Sequence, residues 1–239
     1  MKRTWLIFLV LIFSVSATKA RQPDTISGKK LLLKSIVPVS LIVAGSAVSG
    51  STFEKDLQTS IRNSVGNNYS FPIDDYIQFA PVVEMYVADM AGVKSKNHWF
   101  DQTKYLIISN LFSLGITTGL KYAVDKTRPN DGEHSFPSGH TTLAFTNATV
   151  LYNEFYNTSP VLAYSGYAFA LTTGAFRMIN NKHWLSDVLA GAGIGILVTN
   201  LVYYFEPLKN FNPFKKQKNI VIIPNLNYNN YQIYFSCRF

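Results

Sequence analysis

Four apolar segments of helical length, 106–124, 141–155, 161–176 and 188–205, fill the second half of this chain and constrain its fold more than any other feature. Apolar runs of this length build helices that pack on one another. The last run is rich in small residues (Ala190, Gly191, Ala192, Gly193, Gly195), and small residues let helices approach closely. A bundle of helices, an all-α fold, is the expectation. Only 15% of the 239 residues are charged, against roughly 25% in an average soluble protein, while 47% are apolar and 14% aromatic. Such a composition excludes intrinsic disorder, a coiled coil and a collagen-like chain. Cys237 is the only cysteine, so an intrachain disulfide framework and Cys-based zinc sites are excluded too. A mean hydropathy of +0.07 leaves the choice between membrane and water open.

Residues 1–20 place Lys2 and Arg3 before an apolar run from Trp5 to Val15 and small residues around Ala17 and Ala20. That pattern reads as a secretory signal, with an uncleaved first membrane helix as the alternative. Residues 21–30 read as a linker. The stretch 31–48 is long enough to span a membrane, 52–70 is polar with Gly66-Asn67-Asn68 as turn material, and 73–91 reads as one amphipathic helix carrying Asp74, Asp75, Glu84 and Asp89. These acids form no metal-ligand spacing, and a polar face packed on the bundle is the expected role, with a substrate headgroup contact as the alternative. The bundle extends over 31–212, with the motif-bearing part at 100–206. About six helices embedded in or associated with a membrane are expected. The basic break at Lys215, Lys216 and Lys218 opens a last region, 213–239, that reads as a small β-hairpin.

Two polar stretches between the helices hold the chemistry. The first, 121–140, gathers Lys121, Lys126 and Arg128 and ends in Pro137-Ser138-Gly139-His140 directly before a helix. A helix N-terminus with a glycine beside it offers free N–H groups to an anion, so the implied ligand is a phosphate-like oxyanion. The second, 177–187, holds Arg177, His183 and Asp187, with the His and Asp four apart, a spacing that puts them on one face of a helix. An Asp there can orient the imidazole, whose free nitrogen can attack phosphorus, while a second histidine, His140, can protonate the leaving oxygen. His98 and His134 read as surface histidines, with a substrate contact as the alternative for His134.

Lys121-x6-Arg128-Pro129, Pro137-Ser138-Gly139-His140 and Arg177-x5-His183-x3-Asp187 together resemble the three-part signature of the type 2 phosphatidic acid phosphatase superfamily. The resemblance implies an α-helical bundle working without a catalytic divalent metal or any cofactor. It implies that Lys121, Arg128 and Arg177 grip phosphate oxygens, that Ser138 and the Gly139 N–H add donors, and that His183 is the nucleophile, Asp187 its orienting partner and His140 the general acid. The family usually has Ser before the third-motif Arg, where this chain has Phe176.

The function expected on these grounds is a phosphoric ester hydrolase that releases phosphate, through a phosphohistidine, from a lipid phosphate or pyrophosphate. Lipid A, a phosphatidate-like lipid and undecaprenyl pyrophosphate are the candidates. Its expected place is the bacterial inner membrane, with the site facing the periplasm and no nucleic-acid partner. In the expected topology 31–49 runs inward and 104–124 outward, while 73–91 does not cross. That leaves Lys55, Arg62, Lys94, Lys96 and the terminal lysines Lys215, Lys216 and Lys218 inside and Arg21, Lys29 and Lys30 outside. Two alternatives stand beside this reading: a soluble, secreted periplasmic acid phosphatase, and a non-catalytic membrane protein that holds a phosphorylated lipid. The sequence does not set the oligomeric state.

Overall fold

The computed structural model describes residues 28–66, 68–205, 207–208, 220–227 and 230–237. Residues 1–20 and the lysines at 215, 216 and 218 lie outside them. Among the described residues there are eight helices, α1 (Gly28–Val48), α2 (Thr52–Val65), α3 (Asp74–Ile77), α4 (Ala80–Met90), α5 (Trp99–Val124), α6 (Gly139–Phe155), α7 (Pro160–Ile179) and α8 (Leu185–Tyr204). Beyond them, β1 (Ile220–Asn227) and β2 (Asn230–Cys237) pair antiparallel, from Ile220 opposite Cys237 to Asn227 opposite Asn230.

Four boundaries depart from expectation, three of them for evident local reasons. The polar stretch 52–70 is largely helical, because the Ser51 side chain accepts the Glu54 N–H at 3.2 Å and Gly66, at φ 89°, ends the helix where an L side chain would be strained. The single helix expected over 73–91 is two, since Pro81 favours the start of a helix and the chain bends before it. Helix α5 begins at Trp99, ahead of the apolar segment 106–124, because His98 caps it by accepting the Phe100 N–H at 3.4 Å. Helix α1 likewise starts at Gly28, inside the expected linker.

Helix α8 is central and packs on α1, α6 and α5. Its glycines make this possible. A methyl group at Gly195 would lie 2.6 Å from the Thr142 carbonyl oxygen, and one at Gly191 would lie 2.7 Å from that of Ser138. Met85, Val150, Leu151, Phe155 and Ala163 form one buried cluster between α4, α6 and α7.

The contact between α5 and α6 is polar. Thr117 meets Thr142 at 3.2 Å, Ser113 meets Thr146 at 3.0 Å and Asn110 meets Asn147 at 2.9 Å. On the same helix Gln102, Ser109, Ser113 and Thr117 are buried while Ile107, Leu111, Phe112 and Ile116 are exposed. Helix α5 therefore turns its hydroxyls and amides inward and its aliphatic side chains outward.

The two ends of the bundle are well defined. Gly45 of α1 lies against Ser186 and Ala190, whereas Pro38 lies against Gly193, so α1 runs antiparallel to α8 and finishes at the end where α8 starts. Helix α2 covers that end: Gln58 donates to the Met178 carbonyl at 3.0 Å and Arg62 to that of Ile179 at 2.7 Å. At the other end Lys34 reaches Asn153 at 3.1 Å, and the Lys96 N–H bonds the Glu154 carbonyl at 2.9 Å. Helices α3 and α4 pass from the first end to the second. The topology expected from sequence is thereby corrected. Residues 73–91 do run the depth of the bundle, and Lys55 and Arg62 share an end with both polar stretches, opposite Lys94 and Lys96.

Candidate active site

The first polar stretch is folded back over the end of α5. Asp125 takes a left-handed conformation, φ 46°, and ends the helix. Lys121 donates to the carbonyls of His134 at 2.6 Å and Ser135 at 3.4 Å, and Arg128 Nε donates to that of Glu133 at 3.0 Å. The loop thus reaches the start of α6, where Ser138 is fully buried as the cap and its Oγ accepts from Thr141 Oγ1 at 2.9 Å. Gly139 opens the helix, and the first N–H groups of a helix have no partner within it. A Cβ at Gly139 would lie 3.9 Å from Lys121 Cε, so the lysine stem passes beside this N-terminus. His134 is half-exposed, with Nδ1 3.0 Å from Asp125.

The second stretch arranges His183 and Asp187 differently from the expected helical face. His183 precedes α8, and Asp187 sits in its first turn, where Oδ2 accepts the Trp184 N–H at 2.9 Å and faces His183 Nδ1 at 3.3 Å. The pair meets because an acid in the first turn turns back to the residues that start the helix. Ser135 Oγ donates to the same oxygen. A carboxylate only accepts, so the ring proton is on Nδ1 and Nε2 carries the lone pair. His183 is 1% exposed, and burial pushes its pKa down to about 4 against the opposing pull of Asp187, with Arg177 and Lys121 adding to the lowering. The imidazole is neutral near pH 7, with the lone pair on Nε2 unprotonated.

The cations come with partners that sequence reasoning missed. Arg177 is buried, with Nη1 2.6 Å from Asp74 Oδ2 and 3.3 Å from Asp75 Oδ1. Its Nε is buried without a hydrogen-bond partner among the described residues, a donor still open to an oxyanion. Asp74 is fully buried and also accepts from Asn180 at 2.7 Å, while Asn180 clamps Phe71 through both backbone groups at 2.9 Å. His140 Nε2 lies 3.0 Å from Asp75 Oδ1. Of the four acids on 73–91, then, two belong to the site; Glu84 and Asp89 instead meet Ser165 at 2.9 Å and Gln102 at 3.2 Å farther down the bundle. Phe176, at the position where the family has Ser, packs its ring 6.0 Å from that of Phe71.

Behind the His183–Asp187 pair, Lys126 bridges Asp187 Oδ1 at 3.2 Å, Ser186 Oγ at 2.6 Å and Glu54 Oε2 at 3.1 Å. Buried Glu54 also accepts the N–H groups of Ser186 at 2.9 Å and Gly50 at 2.8 Å. The signal for Glu54 was present as Ser51-x-x-Glu54, a helix-start pattern within a stretch that otherwise reads as loop. For Asp74 and Asp75 no local pattern existed, since what matters is their contact with His140, Arg177 and Asn180, far away in the chain.

Residues 102–211 match the PAP2 superfamily. That match takes in all three motifs assembled at one end of the helical bundle, so this part of the chain is similar to that superfamily. It is 32% identical over 153 residues to a lipid A 1-phosphatase of Porphyromonas gingivalis, an alignment covering 62% of this chain and 34% of the relative. The chain thus spans about a third of the length of that curated relative. Its fold is similar to the crystal structure of Aquifex aeolicus LpxE, with a TM-score of 0.50 at 20% identity, covering 66% of this chain and 99% of the other. A transmembrane PAP2 type phosphatidylglycerolphosphate phosphatase from Bacillus subtilis superposes with a TM-score of 0.47 at 16% identity over 75% of this chain and 99% of the other.

Proposed function

We propose that this chain is a membrane-embedded phosphatase that removes phosphate from a lipid phosphate or pyrophosphate, with lipid A the favoured substrate. The observation that carries the reading is the neutral, buried His183 held at Nδ1 by Asp187 beside the cations and the α6 N-terminus. In this mechanism Nε2 of His183 attacks phosphorus and the bond to the leaving oxygen breaks as that oxygen takes a proton from His140. Water then attacks the phosphohistidine, gives a proton to His140, and the P–N bond breaks to release phosphate. Lys121, Arg128 and Arg177, with Ser138 and the Gly139 N–H, stabilise the charge on the other oxygens. The preference for lipid A follows the Porphyromonas relative.

Membrane residence is supported by α5, whose buried face is polar and whose exposed face is aliphatic, the reverse of a helix in water. By length and composition Leu31–Val48 and Leu185–Tyr204 are apolar enough to cross a membrane, with mean hydropathy 2.0 and 1.7. The site is assigned to the periplasmic side of the inner membrane. Because α1 runs toward the site end, a periplasmic site requires residue 28 on the cytoplasmic side, and an exported residue 28 would put the site in the cytoplasm. Lys29, Lys30, Lys34, Lys94 and Lys96 gather at the end away from the site, against Lys55, Arg62 and Lys182 at the site end, where Lys121, Lys126, Arg128 and Arg177 are bound into the site itself. That distribution favours the first arrangement under the positive-inside rule.

The test is phosphate release by the detergent-solubilised protein from lipid A, phosphatidate, undecaprenyl pyrophosphate and water-soluble esters, with EDTA present. Release from lipid substrates that survives EDTA, is inhibited by vanadate and is lost in His183→Ala is expected. Release confined to soluble esters would replace the lipid reading with a broad acid phosphatase, and lipid binding without release would leave only a binding protein.

A further inference from the structure

The site holds two histidines, and each meets one carboxylate through one ring nitrogen. For His183 the contact is Nδ1 to Asp187, 3.3 Å, which leaves Nε2 for phosphorus. For His140 the sense is reversed: Nε2 faces Asp75 Oδ1 at 3.0 Å. Since a carboxylate accepts, this contact calls for a proton on Nε2 in the neutral ring and makes Nδ1 the nitrogen whose protonation changes.

Asp75 is held where it can impose this. Its Oδ1 is also 3.3 Å from Arg177 Nη1, and Oδ2 is 3.9 Å from Lys182 Nζ. The adjoining Asp74 is locked to Arg177 and Asn180, which fixes α3 against the third motif. Nothing in the three motifs accounts for this carboxylate.

We propose that Asp75 is the positioning residue of the general acid, keeping one proton on Nε2 of His140 so that Nδ1 gives and takes the other. This rests on the phosphatase reading. In the first step the Nδ1–H bond breaks as the leaving oxygen gains the proton, and His140 is left neutral with Nε2–H still donated to Asp75. In the second step Nδ1 takes a proton from the attacking water, and imidazolium is restored. The charged groups facing His140 are Asp74 and Asp75 on α3, Arg177 on α7 and Lys182 in the turn after it. Removing the charge of Asp75 leaves the two cations less opposed, so His140 gives up its proton at lower pH.

The test uses the full chain in detergent with ¹⁵N-labelled histidine, where only His98, His134, His140 and His183 contribute and His140→Gln assigns the signal. Neutral His140 should be the Nε2–H tautomer in the unsubstituted protein, and its titration should move down by about half a pH unit or more in Asp75→Asn. Asp75→Asn should slow phosphate release from an alkyl phosphate about tenfold or more and slow 4-nitrophenyl phosphate far less, because a good leaving group needs little protonation. Asp75→Glu should recover much of the alkyl activity. An Nδ1–H tautomer, an unmoved titration, or equal slowing of both esters would overturn the proposal. If the unsubstituted protein releases phosphate from neither these esters nor a lipid phosphate, the phosphatase reading fails, and the tautomer and titration still decide whether Asp75 sets the proton on His140.

Discussion

Arg177 is paired before any phosphate arrives: its Nη1 lies 2.6 Å from Asp74 Oδ2, and both side chains are buried. Removing one member of a buried ion pair strands the other, at a cost of about 3–5 kcal/mol. Asp74→Ala should therefore lower the thermal midpoint in detergent sharply. Asp75→Ala, at a half-exposed carboxylate 3.3 Å away, should cost about 1 kcal/mol or less. Equal losses from the two would show that the short contact does not anchor the guanidinium.

The buried state of His183 sets a pH dependence of stability. Its folded pKa, about 4, lies below the ordinary value of 6.5, so the unfolded chain takes up the proton first as pH falls. The contribution is full above pH 6.5 and is lost as pH drops from there toward 4. Unfolding followed at several pH values should show His183→Gln losing less stability over that window than the unsubstituted protein. The acid limb assigned to the nucleophile should likewise fall near pH 4 and not near 6.5.

The helical bundle and all three motifs were legible in the sequence because their signals are local: apolar runs of helical length, and short spacings around Ser138 and His183. The braces were not. Glu54 lies in a stretch whose polarity reads as loop, although its helix packs onto the turn it supports. Asp74 and Asp75 look like the polar face of an amphipathic helix, and only the fold brings them to Arg177 and His140. The His183–Asp187 contact was expected from helical periodicity; it arises instead from a side chain turning back at a helix start. That these two residues meet was legible, and the geometry of their contact was not.

The small-residue face of α8 reaches into the site. A methyl group at Gly191 would meet the Ser138 carbonyl at 2.7 Å and Thr142 Oγ1 at 3.1 Å, so Gly191→Ala must shift the cap of α6. Loss of activity larger than loss of stability is expected. On α5, Gly115 and Gly119 have open space at the same position, and Ala there should be neutral or stabilise by about 0.5–1 kcal/mol. Thermal midpoints and phosphate release on the three variants check this, and an active Gly191→Ala enzyme would mean that the α6 N-terminus tolerates displacement.

The direction of α1 turns membrane orientation into a two-point measurement. Asn130 is exposed in the first-motif loop and Lys94 is exposed at the far end of the bundle, so single cysteines at these positions, in a Cys237→Ser background, report opposite faces. Asn180 is unsuitable for this purpose, being buried and bonded to Phe71 and Asp74. In intact spheroplasts a membrane-impermeant maleimide should label Asn130→Cys, and Lys94→Cys should react only after lysis. The reverse pattern would place the site in the cytoplasm, residue 28 outside, and the substrate in the inner leaflet. Labelling of both before lysis would mean that the exposed aliphatic face of α5 does not hold the bundle across a bilayer.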